Sequence, residues 1–343
     1  MVSVTDRPVS PSGHRTDPAP LLSIKGLHTS VRSRGESFDV VRGLSLDVYP
    51  NEVLCLVGES GCGKSITALS VMGLLPDPPV RIREGEILFH GQDLVALGNK
   101  QMRDIRADSI SMIFQDPLTS LDPVFTVGEV MVEVIRAHRD MNKSDARNLA
   151  GETLAKVGLP DPITRLDSYP HQLSGGMRQR VMIAMALVLD PEILIADEPT
   201  TALDVTVQAQ ILDQLLTEQR ERNMAMLLIT HDLAVVASIA DRVAVMYSGE
   251  IVEQATVDEL FENPRHPYTQ GLLRALPKVS TVRQQLDPIP GLVPYLQFLP
   301  PGCSFAPRCP HALDRCWEEP PELVPDQEGR VFRCFNPQDF TER

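Results

Sequence analysis

The sequence predicts an α/β fold with a parallel core sheet, and three observations predict it. Val53-Leu54-Cys55-Leu56-Val57, Ile193-Leu194-Ile195-Ala196 and Met226-Leu227-Leu228-Ile229 are short, uninterrupted apolar runs, the pattern of strands buried on both faces. Helix-compatible stretches alternate with them, Ile66 to Leu75 after the first and Val205 to Glu221 between the other two. That alternation is the βαβ logic of a parallel sheet. The third observation is Gly58-Glu59-Ser60-Gly61-Cys62-Gly63-Lys64-Ser65, lodged between the first run and its helix. It matches G-x-x-x-x-G-K-[ST], a phosphate loop that needs this strand–loop–helix setting.

In chain order, Met1 to Pro20 is rich in Ser, Pro and charged residues and lacks an apolar h-region. It reads as a disordered tail and not as a signal peptide. From about Leu22 to Gly91 come short strand-like pieces, Ile24 to Val31, Gly43 to Val48 and Glu86 to Phe89, with a turn at Tyr49-Pro50-Asn51-Glu52. They predict an antiparallel β layer. From about residue 94 to 177 the pattern is mostly helical, a helical subdomain with polar breaks at Met141-Asn142-Lys143 and Leu159-Pro160-Asp161-Pro162. Residues 178–260 return to strand–helix alternation. Beyond Pro264 the proline density rises and a separate tail begins. The expected parts are thus residues 1–20, 21–262 and 263–343.

Composition sets outer bounds. Acidic residues number 46 against 32 basic ones, a net charge of −14, which argues against a nucleic-acid footprint and fits a cytosolic chain. With 43% hydrophobic residues there is ample material for a core. No apolar run reaches the roughly 18 residues of a membrane span; the best, Val181 to Leu189, stops at Asp190.

The residue types in the loop explain their chemistry. Glycines let backbone N–H groups close on phosphate oxygens at a helix N-terminus. Gly58, Ser60, Gly61, Cys62, Gly63, Lys64, Ser65 and Ile66 are therefore the expected nucleoside triphosphate contacts, with Lys64 on the β- and γ-phosphates and the Ser65 hydroxyl on Mg²⁺. Cys62 and Cys55 supply small apolar filling as side chains. A strand ending in Asp197-Glu198 is by itself an ordinary surface cap. Beside a phosphate loop, Asp197 becomes the support of Mg²⁺ and Glu198 the group that polarises the attacking water. Leu173-Ser174-Gly175-Gly176-Met177-Arg178-Gln179-Arg180 opens the apolar run Met177 to Leu189, a second anion site at a helix start; alone, Ser174 would be an N-cap.

Together these motifs resemble ABC-type ATPases, and the P-loop ABC-type nucleotide-binding domain is the fold that the resemblance implies. Ser174, Gly175, Gly176 and Gln179 match the signature, which in that family faces ATP held by the opposite subunit. Gln115, in Met112-Ile113-Phe114-Gln115-Asp116-Pro117, matches the glutamine that reaches Mg²⁺ and the water. Thr201-Ala202-Leu203-Asp204 matches the loop at the dimer seam, with Thr201 where Ser is commoner and Asp204 at its end. His231 matches the switch histidine at the γ-phosphate. The adenine-stacking aromatic has its alignable place near Val31, which is not aromatic. Phe38, read as lying in a polar loop, either takes that role or packs on the β layer.

The tail narrows the class. Asn263-Pro264-Arg265-His266-Pro267-Tyr268-Thr269-Gln270-Gly271, with Pro288-Ile289-Pro290-Gly291, looks like the C-terminal extension of oligopeptide and dipeptide importer ATPases, a family that also includes nickel and some sugar importers. The resemblance implies ATP hydrolysis powering peptide uptake. It also implies a second related ATPase subunit, a heterodimer more than a homodimer. Two membrane-spanning permease subunits, an extracytoplasmic binding protein and a peripheral place on the cytoplasmic face of the bacterial inner membrane complete the implied setting. A soluble ABC ATPase acting on DNA or ribosomes and a non-catalytic scaffold are the rivals; the single cassette and acidic balance oppose the first, and intact Lys64, Glu198 and His231 the second. The tail also holds four of the six cysteines, Cys303, Cys309, Cys316 and Cys334, spaced C-x5-C-x6-C-x17-C among ten prolines between Pro288 and Pro325. In a reducing compartment disulfides are disfavoured. Four thiolates on a segment poor in apolar mass suggest a metal replacing a core. Zinc, a [4Fe–4S] cluster and bystander thiols all remain open; absence of a close C-x2-C pair tilts the expectation to [4Fe–4S], which similar importer ATPases carry.

Overall fold

The computed structural model of the protein describes residues 19–33, 35–116, 120–201, 204–276, 288–326 and 329–339. The expected tail up to residue 18 lies outside them. The first half of the chain forms β1 (Leu22–Ser33), β2 (Glu36–Val48), β3 (Val53–Val57), α1 (Lys64–Met72), β4 (Val80–Phe89), β5 (Gln92–Asp93), α2 (Asn99–Ile105) and β6 (Ile110–Ile113). Helices α3 (Val127–His138), α4 (Lys143–Lys156), α5 (Pro162–Arg165) and α6 (Gly175–Leu187) follow. The strand–helix part resumes with β7 (Ile193–Asp197), α7 (Val205–Arg222), β8 (Ala225–Thr230), α8 (Leu233–Ile239), β9 (Arg242–Tyr247), β10 (Glu250–Thr256) and α9 (Val257–Glu262). The last segment carries α10 (Pro267–Arg274), α11 (Arg315–Glu318), β11 (Val324–Pro325) and β12 (Val331–Phe332).

The apolar runs are buried on both faces because two cores meet them. Val53, Cys55 and Val57 of β3 face one core with Leu194, Ala196, Met226 and Leu228. Leu54 and Leu56 face the other with Ile193, Ile195, Leu227 and Ile229. Helices α3, α4 and α6 cover the first side; α1 and the antiparallel layer cover the second. Strands pair in the order β11-β12-β10-β9-β3-β8-β7-β6, and β2-β1-β4-β5 form the separate layer. The pairs β3–β8, β3–β9, β7–β8 and β6–β7 are parallel, so strand ends, and the loops leaving them, gather on one edge of the sheet.

Local chemistry fixes the helix starts. Thr126 accepts from the Glu129 N–H while the Glu129 carboxylate accepts from the Thr126 N–H, a reciprocal cap at α3. Asn142 caps α4 and Ser174 caps α6, each satisfying an N–H that the first helical turn leaves open.

Three expectations need correction. Ile110–Ile113, read within the helical stretch, is a strand paired in parallel with β7; its run is short and broken by Ser111, which is itself buried. Phe38 lies in β2, not in a loop, directly across from Val31. The tail is not a separate unit, because β12 pairs with β10 and extends the core sheet. Tyr247 of β9 packs against Tyr268 and Phe305 with ring centroids 4.6 and 5.2 Å apart, so aromatic burial welds the extension to the sheet.

Candidate active site

The phosphate loop joins β3 to α1 under tight steric limits. A Cβ on Gly58 would sit 2.2 Å from the Met246 carbonyl oxygen. Gly63 has φ of 110° and its Cβ would sit 2.6 Å from the Val40 carbonyl oxygen, so only glycine fits either place. Lys64 is buried, and its Nζ donates to the carbonyls of Gly58 at 2.8 Å and Glu59 at 3.1 Å. It thus lies folded back over the loop. Burial pushes the Cys62 thiol up, which suits the apolar filler expected there.

Asp197 and Glu198 end β7 in different surroundings. Asp197 is buried, and burial raises its carboxyl above the usual range, opposed by a hydrogen bond from Ser65 and reinforced by the charge of Glu198. Its Oδ1 is buried and has no hydrogen-bond partner among the described residues. A lone carboxylate oxygen beside a serine hydroxyl is a hard-oxygen donor set that fits Mg²⁺. Glu198 turns the chain at φ 45° with its N–H on the Ile229 carbonyl at 2.9 Å. Its Oε2 accepts from Gln115 Nε2 at 3.0 Å and Thr201 Oγ1 at 2.9 Å, and its Oε1 lies 3.2 Å from His231 Nδ1. Burial works to raise this carboxyl, but the bonds from Thr201 and His231, together with the charges of His231 and Lys64, hold it below the usual carboxylate range. These contacts favour the charged form of Glu198.

Sequence reading placed Gln115, His231, Lys64, Ser65, Asp197 and Glu198 in one site, and the fold brings them to one sheet edge. Ser174 caps α6 by accepting from the Met177 N–H at 3.3 Å. Ser174 and Gly175 are exposed, whereas Gln179 is buried with its Nε2 unpartnered among the described residues. Asp204 caps α7 through Val207 N–H at 3.0 Å; Ala202 and Leu203 lie outside the described residues. Thr201 as a direct partner of Glu198 escaped the sequence reading. So did Arg308, which reaches Glu59 in the phosphate loop; a lone arginine between prolines and cysteines gave no signal.

The expected metal ligation by Cys303, Cys309, Cys316 and Cys334 is overturned. Among the described residues no group of three or more His, Cys, Asp or Glu side chains could hold a metal ion. All four are free thiols. Burial pushes Cys303 up to about 11 and Cys334 up to about 12, and Cys309 upward. The physical reason is that the extension does not lack a core: Phe305 and Tyr268 are buried in the larger core, and Cys303 and Cys309 pack against it.

The ABC transporter family matches residues 41–201, and the family described as the oligopeptide/dipeptide transporter C-terminal region matches residues 252–316. The dipeptide transport ATP-binding protein DppD of Bacillus subtilis (strain 168) is 52% identical over 315 residues, covering 92% of this chain and 94% of that protein. DppD of Escherichia coli (strain K12) is 49% identical over 319 residues, covering 93% and 97%. The oligopeptide transport ATP-binding protein AppD of Bacillus subtilis is 49% identical over 315 residues, covering 92% and 96%. The ATP-binding cassette MJ0796, solved as a post-hydrolysis dimer with ADP and Pi, is similar with a TM-score of 0.62 at 26% identity, covering 69% of this chain and 98% of that one. Structure cbiO1 of Clostridium perfringens, part of the ABC transporter complex cbiONQ, is similar with a TM-score of 0.59 at 27% identity, covering 71% and 90%. Cassette and extension together place this chain in the family of ABC transporter ATP-binding proteins that serve oligopeptide and dipeptide transporters, and it belongs to that family.

Proposed function

We propose that the chain is the ATP-binding and ATP-hydrolysing subunit of a bacterial ABC importer that drives uptake of dipeptides and oligopeptides. The observation that carries this reading is Glu198, held by Gln115, Thr201 and His231 next to the buried Asp197, on a chain whose C-terminal region matches the peptide-transporter family. The triphosphate lies along Gly58 to Ile66, with the loop N–H groups from Gly61 onward on its oxygens. Lys64 leaves the Gly58 and Glu59 carbonyls for the phosphates. Ser65, Asp197 and Gln115 would hold Mg²⁺, which when bound would neutralise phosphate charge. Glu198 takes a proton from the water that attacks the γ-phosphorus as the bond to the bridging oxygen breaks. His231 and Gln115, both resting on Glu198, are the groups that turn to the γ-phosphate and the water. Phe38, paired with Val31, offers the ring for adenine.

The signature at Ser174 to Gln179 serves the ATP of a second, related ATPase subunit, with Asp204 at the seam. Two permease subunits and an extracytoplasmic binding protein complete the importer, and the chain sits peripherally on the cytoplasmic face of the inner membrane. Among the described residues no helix is long and apolar enough to cross a membrane, so the permease supplies the spans. The test is ATPase activity of the purified chain alone, then with partner ATPase and permease, then with dipeptides and binding protein added. Activity should rise at each step. Full, concentration-independent activity from a monomer would overturn the shared-site reading, and stimulation by nickel or a sugar but not by peptides would overturn the substrate.

A further inference from the structure

Glu59, the first variable residue of the phosphate loop, is gripped by the extension at two points. Its backbone N–H donates to the Tyr268 hydroxyl at 3.0 Å. Its carboxylate accepts from both terminal nitrogens of the Arg308 guanidinium, at 2.7 and 3.1 Å. The Arg308 side chain is 4% exposed, with its Nε on the Pro290 carbonyl at 3.0 Å and its guanidinium over the rings of Tyr247 and Phe305 at 5.8 and 6.0 Å. A bidentate pair in which the arginine is withdrawn from water is among the stronger side-chain contacts. The Pro288-Ile289-Pro290-Gly291 segment thereby fixes the arginine from behind.

The inner side of the same residue faces the nucleotide machinery. The Glu59 carbonyl accepts from Lys64 Nζ at 3.1 Å and from the Cys62 N–H at 3.3 Å. With its N–H committed to Tyr268, Glu59 turns its own amide away from the phosphates and leaves that work to the residues after it. Its carboxylate is a negative charge within the loop that must accept a triphosphate, and Arg308 neutralises it. Without Arg308, Glu59 would repel the phosphates and attract Lys64, the residue needed to bind them.

We propose that Arg308 and Tyr268 are positioning residues for nucleotide binding, through which the C-terminal extension sets the affinity of the phosphate loop for ATP. The inference rests on reading Gly58 to Ser65 as that loop. It predicts a specific pattern of affinities, measured by Mg·ATP titration of the full-length chain and by KM and kcat in the assembled importer. Arg308→Ala should weaken ATP binding about tenfold and raise KM accordingly, because the stranded Glu59 charge keeps contact with solvent and is partly screened, with kcat at saturating ATP within about threefold. Adding Glu59→Gln to Arg308→Ala should restore most of the lost affinity, because the stranded charge is gone. A purely structural role for Arg308 gives no such rescue. Tyr268→Phe, which removes only a hydroxyl, should weaken binding about threefold, one neutral hydrogen bond.

Wild-type ATP affinity in Arg308→Ala, or a double variant no better than the single one, would overturn the inference. Should Arg308→Ala fail to fold, Tyr268→Phe with unchanged affinity would overturn it equally. Lys64→Ala separates the two levels. Normal ATP binding by that variant would overturn the loop reading and the inference with it, whereas lost binding there beside silent Arg308 and Tyr268 variants overturns only the grip.

Discussion

Glu198 and Glu59 are two glutamates at the nucleotide edge of one sheet, and they are held in opposite ways. Glu198 is held by Gln115, Thr201 and His231, all on loops at strand ends and all exposed; the His231 side chain is 60% exposed. Glu59 is held by Arg308 and Tyr268, both buried within the aromatic junction of the extension. Exposed hydrogen bonds exchange with water at a net cost of about 1 kcal/mol each. Breaking the Glu59–Arg308 pair costs on the order of 2 kcal/mol, discounted from a fully buried pair because Glu59 keeps contact with solvent. One corner is therefore built to change partners when nucleotide arrives. The other is built to stay while it does.

The largest effect that tests this contrast is at Glu198. Glu198→Gln should keep ATP affinity while lowering single-turnover hydrolysis by about 10²-fold or more, the scale for losing a general base. The Arg308 variants should do the reverse, moving affinity and sparing turnover. Single-turnover assays beside nucleotide titrations read both quantities on the same samples. If Glu198→Gln hydrolyses ATP at near wild-type rate, the exposed corner is not the chemical one and the contrast collapses.

The two corners also differ in how far the sequence disclosed them. Lys64, Ser65, Asp197 and Glu198 are adjacent in short motifs, so strand–loop–helix order alone brings them together. Gln115 and His231 required the resemblance, since a lone glutamine or histidine at a strand end has no local pattern. Glu59–Arg308 joins residues 249 positions apart, and nothing periodic in proline-rich sequence forecasts such a contact. The same tail misled about its cysteines: low apolar content suggested a metal core, whereas the extension borrows the core of the sheet through Phe305 and Tyr268. Strand Ile110–Ile113 was hidden by Ser111 and its brevity. Phe38 was hidden by the polar residues around it, although its pairing with Val31 follows once the hairpin is drawn.

Acid should separate the two regions next. His266 is buried at the start of the extension; burial first, and then the charge of Arg333, lowers its pKa to about 3. In the unfolded chain it takes a proton near its ordinary 6.5, so the unfolded state gains protons as pH falls and the extension loses stability below about 6.5. The loss is on the order of 2 kcal/mol by pH 5. Glu253, whose carboxyl burial pushes up, is protonated more readily folded than unfolded and offsets part of it. The corner at Glu198, held below the usual range, keeps its charge throughout. Between pH 7 and 5, Tm of the wild type should fall more than that of His266→Asn, which retains an acceptor for the Tyr268 N–H. Equal slopes for the two proteins would assign the acid sensitivity elsewhere.

The smallest expected effect lies at Thr201, and it asks how interchangeable the exposed partners of Glu198 are. Thr201 Oγ1 and Gln115 Nε2 donate to the same carboxylate oxygen, so removing one leaves the other and admits water. Thr201→Ala should lower turnover only about threefold, less than the loss of a buried charged hydrogen bond would cost. Its sharper signature is in the pH profile. The Thr201 bond lowers the Glu198 pKa, so its removal raises that pKa, and activity is lost at a higher pH as the solution is acidified. Thr201→Ser keeps the hydroxyl and should match the wild type in both rate and profile. An unshifted acid limb in Thr201→Ala would mean that Gln115 and His231 alone fix the charge of Glu198. A loss as large as that of Glu198→Gln would mean the corner is rigid, which would erase its difference from the grip on Glu59.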